Sequence, residues 1–244
     1  MKNQKYWRKY IIYCGVNKCS ESEDNRWLYQ KGRWFEVTRM IAPWMEIVYK
    51  EEGVDENDME YGFNRVKTYY KEGAGQNLHP QNDAWCSSFA NWAIVETNRV
   101  KNMNYSFIPL NGHTNNPVLA INFVNKERYP GSTIISSTEK PPFGSILIIQ
   151  KSTSHEGHAT FVVNYTETEN GFIIVGLGGN QVDMIQKQSY EFIKDGNKVN
   201  YKSKYGTVFN HLGYVVPKEY LFVKENPIYY EYENITAEEA GSTR

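Results

Sequence analysis

The chain has 244 residues, 40% of them hydrophobic and 15% aromatic, which supports a folded core and excludes a mainly disordered chain. Its 27 basic and 28 acidic residues leave a formal net charge of -1, without the electrostatic footprint of a general nucleic-acid binder. No apolar run approaches the ~20 residues of a membrane-spanning helix, so no membrane span is expected.

Residues 1–40 are rich in Tyr, Trp, Lys and Arg. The polar run Ser20–Asn25 reads as a loop between two aromatic segments, Tyr6–Tyr13 and Trp27–Val37. A hairpin-like accessory piece is expected there, with Lys31-Gly32 as its turn. Met1–Tyr10 is basic, as the start of a secretion signal is, but the apolar stretch Ile11–Val16 is too short for a signal core. No small-residue cleavage site follows, so no export signal is expected. Asn17 and Lys18 argue against a lipoprotein site at Cys19. Cys14 and Cys19 read as ordinary reduced thiols, with a mutual disulfide or half a metal site as alternatives.

From Ile41 the pattern is helical. Ile41, Trp44, Met45, Val48 and Tyr49 recur at three and four residues, and Gly53 ends the run. A second helix is predicted over Arg65–Lys71 and a third over Ala84–Asn98, with Asp83 as its N-cap. Pro117–Asn125 is weaker. The period then changes to strands at Phe143–Gln150, His158–Tyr165, Gly171–Leu177 and Leu212–Val216. Helices followed by strands predict an α+β fold with a mostly antiparallel sheet. After Pro217 comes an aromatic, acidic tail, whose last residues within Thr236–Arg244 are expected to be disordered.

Chemistry concentrates in three places. With Asp83 as N-cap, Cys86 falls at the third helical position, where free N–H groups and the helix dipole favour a thiolate. A buried structural cysteine is the competing reading. A thiolate nucleophile needs an imidazole beside it. Of His79, His113, His155, His158 and His211, only His158 opens an apolar strand, and Gly157 before it permits close approach of another backbone. His155 with His158 lacks the further ligands of a metal site, so no metal is expected. Gly178 and Gly179 allow a tight turn that brings Asn180 toward the histidine strand. Its amide oxygen could fix the imidazole tautomer, as suits a thiolate–imidazolium pair. A solvent-facing asparagine is the alternative.

At these residues the chain resembles bacterial and phage cell-wall hydrolases of the NlpC-like and CHAP-like papain superfamily. The matching pieces run in order: Pro43–Ile47, Asn64 with Tyr69 and Tyr70, Trp85–Trp92, Phe143–Leu147, Gly157-His158, Leu177–Gln181 and Leu212–Tyr214. Ser145 departs from the pattern, since relatives commonly carry Asp after that glycine. The resemblance spans about Ile41–Pro217, which divides the chain into an accessory segment (1–40), a hydrolase domain (41–217) and a tail (218–244). It implies a papain-like fold with N-terminal helices packed on a mostly antiparallel sheet. It also implies amide hydrolysis in peptidoglycan without metal or cofactor, with Cys86 as nucleophile, His158 as base and Asn180 as orienter.

That expectation leaves two bonds open: one within the stem peptide (endopeptidase) or the muramoyl–L-alanine amide (amidase). The loops Gly73–Pro80 and Tyr105–Asn116 are expected to shape the groove. A wall hydrolase without an export signal suggests an antibacterial effector, with an immunity or carrier partner, or a phage lysin. A non-catalytic wall-binding module is the rival, since the 19 tyrosines, 11 phenylalanines and six tryptophans could stack on sugars.

Overall fold

The structure is a computed structural model. It describes the backbone of residues 27–30 and 33–36, and residues 42–107, 118–196, 198–220, 232, 233 and 235–240. Tyr6–Tyr13, Cys14, Cys19, the Ser20–Asn25 run, His113 and residues 108–116 of the expected groove loop lie outside the described residues. Strands β1 (Trp27–Gln30) and β2 (Arg33–Glu36) pair antiparallel with Gln30 opposite Arg33; the expected turn at Lys31-Gly32 lies outside the described residues.

Six strands form a closed antiparallel barrel: β4 (Ile146–Lys151), β5 (Gly157–Thr168), β6 (Gly171–Gln181), β7 (Met184–Asp195), β8 (Lys198–Lys202) and β9 (Val208–Pro217). Strand β9 closes it. Its first residues pair with β8 and its length pairs with β4, while its last four pair with β3 (Ser132–Ile135) outside the ring. This corrects the expected papain-like α+β layout of N-terminal helices packed on a mostly antiparallel sheet. The closing strands β7 and β8 were missed because they alternate apolar with polar residues. Val199 and Tyr201 are buried, whereas the flanking Lys198 and Lys202 are exposed, a two-residue period with little total hydrophobicity.

Aromatic rings fill the interior. His211 on β9 lies 6.0 Å from Phe172 on β6 and 4.8 Å from Phe192 on β7, centroid to centroid. Neither strand neighbours β9, so these contacts cross the lumen. Burial, opposed by the Gly213 backbone, pushes the His211 imidazole down to about 3, which leaves it neutral near pH 7.

Helices are few among the described residues, and the longest, Cys86–Lys101, lies against the barrel. They are α1 (Met45–Lys50), α2 (Gly62–Thr68), which runs into a π-helical turn over Tyr69–Gly73, and α3 (Cys86–Lys101). The expected helix at Pro117–Asn125 is a single 3₁₀ segment, Ala120–Val124. Helix α3 is buried almost all round over Cys86–Ile94, because β5 and β6 cover one side and the π turn the other. Trp44 ties α1 to the turn before β4, its indole N–H donating to the Gly144 carbonyl at 2.7 Å.

A polar network locks α1 to α2. Arg65 donates two hydrogen bonds to the Glu51 carboxylate at 2.8 and 2.7 Å, and the Tyr69 hydroxyl donates a third at 2.6 Å. Glu51 is only 7% exposed, so its removal would strand a guanidinium and a buried hydroxyl. Glu51→Ala is therefore expected to lower unfolding stability by about 3 kcal/mol, read from a urea titration.

The tail is anchored in part. Glu233 N–H donates to Val163 O at 2.9 Å and Asn164 Nδ2 to Ile235 O at 2.6 Å. Thr236–Ala240 forms a turn in which Glu239 caps Thr236, and Ala240 is buried, while residues 241–244, the last of the tail expected to be disordered, lie outside the described residues.

Candidate active site

Cys86 is the first residue of α3, not the third, and Trp85 is the N-cap residue without a side-chain cap. Asp83 does not cap the helix. Its carboxylate accepts the His79 N–H at 3.1 Å, and its carbonyl accepts the Tyr70 hydroxyl at 2.5 Å. The consequence for Cys86 survives the correction, because N–H groups of the first turn have no acceptor within the helix. Its own N–H is therefore placed to bind a developing oxyanion.

His158 is the second residue of β5. A Cβ on Gly157 would meet the Ile149 carbonyl at 2.7 Å, so glycine there permits the close approach to β4 that the sequence suggests. The imidazole reaches both Cys86 and Gln181. Its Nε2 lies 3.2 Å from Gln181 Oε1, which leaves Nδ1 for the thiol.

The electrostatics of the pair are reciprocal. Burial pushes the Cys86 thiol up, but the charge and hydrogen bond of His158, the Ala159 backbone and the Ser87 hydroxyl outweigh it and hold the thiol below its ordinary value. Burial pushes His158 down, but the charge and hydrogen bond of Cys86, with the Gln181 contact, hold it above its ordinary value. The lowered thiol and raised imidazole together favour thiolate and imidazolium.

The structure places Gln181, not Asn180, against the imidazole. Gln181 is 2% exposed, and its amide is oriented from both ends. Its NH₂ donates to the carbonyls of Gly176, at 3.3 Å, and Gln186. Its oxygen therefore faces the His158 Nε2 and accepts the Tyr190 hydroxyl at 2.6 Å. An oxygen fixed this way requires a proton on Nε2.

The expected glycine turn is also different. Gly178 and Gly179 lie within β6, Asn180 sits in a β-bulge before Gln181, and the turn is Val182–Asp183, between the paired Gln181 and Met184; Asn180, Val182 and Asp183 have φ of 55°, 55° and 64°. Asparagine tolerates that left-handed backbone better than most residues, so Asn180 serves the bulge. The sequence signal for Gln181 was present as the neighbour of Asn180, but a β-bulge between Gly178 and Gln181 breaks the strand alternation that would rank the two.

A cavity of about 470 Å³ opens at this end of the barrel, and every barrel strand contributes to its wall. Ile149 comes from β4, His158 from β5, Gln181 from β6, Tyr190 from β7, Tyr201 from β8 and Phe209 from β9. Tyr205 and Val182 stand at its rim, both exposed. Cys86 is not part of this wall, so the imidazole separates the thiol from the barrel mouth. Among the described residues no group of three or more His, Cys, Asp or Glu is placed to hold a metal ion. No described helix is long and apolar enough to cross a membrane. A scan of protein-family models, a search of curated proteins and a search of solved structures found no match to this chain.

Proposed function

We propose that the chain hydrolyses an amide bond of peptidoglycan stem peptides through Cys86, His158 and Gln181. The observation that carries the reading is His158 held between a helix-terminal cysteine and a glutamine whose amide can present only its oxygen. The Cys86 thiolate attacks the amide carbonyl, and the new oxyanion meets the Cys86 N–H. The imidazolium passes its proton to the leaving amine, and a thioester remains. His158 then takes a proton from water, which attacks the thioester, and the acid and free thiolate are released.

This order fixes the orientation of the substrate. The leaving amine must lie at Nδ1, on the thiol side of the imidazole, since Nε2 is held by Gln181. Peptidoglycan as substrate rests on the resemblance of Trp85-Cys86-Ser87, Gly157-His158 and Gly178–Gln181 to wall hydrolases, and endopeptidase and amidase cleavage share this chemistry. An antibacterial effector with an immunity or carrier partner is the setting we favour, with a phage-type lysin as the alternative. Purified sacculi should clear with the wild-type protein, while Cys86→Ala should lose about 10³-fold or more in clearing rate.

The second reading, a wall-binding module without catalysis, draws on the aromatic wall of the mouth at Tyr190, Tyr201 and Phe209. It predicts sacculus binding by wild type and Cys86→Ala alike, with no clearing by either.

A further inference from the structure

The two halves of the site come from distant parts of the chain, and one short segment ties them together. Residues 53–56 run beside the end of β6 and the start of β7. Gly53 N–H donates to Ile185 O at 2.8 Å, Ile185 N–H to Val54 O at 2.8 Å, and Glu56 N–H to Asp183 O at 3.0 Å. Asp55 forms an isolated bridge with Met184. These bonds grip the turn that follows Gln181. That turn needs gripping, because Val182 is β-branched, 56% exposed and in the left-handed region, a conformation that persists only where its surroundings enforce it.

The same segment reaches the nucleophile helix. Glu56 is 5% exposed, and its carboxylate accepts the indole N–H of Trp85 at 2.5 Å. Trp85 is fully buried and immediately precedes Cys86. Its ring also lies on β6 at Gly179, where a Cβ would meet the indole at 2.4 Å. The indole is thus fixed between Glu56 and Gly179, two residues before Gln181.

We propose that Glu56 is a positioning residue: through Trp85 on one side and the Val182–Asp183 turn on the other, it sets Cys86 in register with His158 and Gln181. Glu56 touches neither the thiol nor the imidazole, so it acts through their carriers. A hydrogen-bond acceptor is what the position requires, and glutamine supplies one. Charge is secondary, since burial, with Asp183 and Asp55 nearby, pushes the Glu56 carboxyl up against the Trp85 hydrogen bond. The inference rests on Cys86 and His158 reacting as a pair, not on peptidoglycan as the substrate.

The test is alkylation of Cys86 by iodoacetamide across pH 4 to 10, counted per folded molecule, which needs no substrate. Glu56→Ala is expected to move the alkylation midpoint up by about one pH unit, with about tenfold slower labelling at pH 6. Glu56→Gln is expected to label within twofold of wild type. Trp85→Phe removes the donor, keeps the backbone bonds and should follow Glu56→Ala. If Glu56→Ala does not fold, Trp85→Phe carries the test. A wild-type profile in folded Glu56→Ala or in Trp85→Phe would overturn the proposal, as would Glu56→Gln behaving like Glu56→Ala. Failure to digest sacculi alongside the expected profiles would refute the substrate and leave this inference standing.

Discussion

Replacing His158 with alanine is expected to slow amide hydrolysis by about 10³-fold or more, the upper range for losing a group that both donates and accepts the proton. The same change should remove what holds the thiol down. The charge and hydrogen bond of His158 lower Cys86, while burial raises it, so deleting the imidazole leaves burial dominant. In wild type the thiolate persists from below the ordinary thiol range, and His158, raised by its partner, stays protonated across the same window. Iodoacetamide should therefore label wild-type Cys86 readily near pH 6. In His158→Ala the labelling at pH 6 should fall about 10- to 100-fold and recover only as pH rises beyond 9. A variant that labels like wild type would mean that the two groups do not interact.

The second large effect separates two neighbours in sequence. Gln181→Ala is expected to lower the rate per titratable Cys86 by about 10- to 100-fold, because the imidazole loses its fixed acceptor and a misplaced catalytic group costs on that order. Asn180→Gly keeps the left-handed backbone at φ 55° and removes the amide, so its loss should stay below about threefold. Steady-state hydrolysis of a soluble muropeptide reads both. The opposite ranking would restore Asn180 as the orienter.

The chain shows its chemistry more openly than its fold. Cys86 announced itself as a cysteine at a helix start, and His158 as a strand-opening histidine after glycine. Both signals are local, and both survive in the structure. Gln181 was obscured because the choice between adjacent residues depends on a β-bulge and the turn after it. Three left-handed residues in Asn180–Asp183 have no sequence marker comparable to glycine. The barrel was missed for a different reason. Closure depends on β9 pairing with both β4 and β8, a long-range pairing that no local period encodes. The strap at residues 53–56 was equally hidden, since its role lies in backbone bonds to a segment 130 residues away.

The central claim is that Cys86 cleaves a stem-peptide amide. Purified sacculi, digested with the wild-type protein and with Cys86→Ala and followed by mass spectrometry of the released muropeptides, test it most directly. Wild type is expected to produce fragments that differ from their parents by one hydrolysed amide, and Cys86→Ala to lose them. The bond cut would also separate endopeptidase from amidase. No new fragments from the folded wild type, or the same fragments from Cys86→Ala, would contradict it.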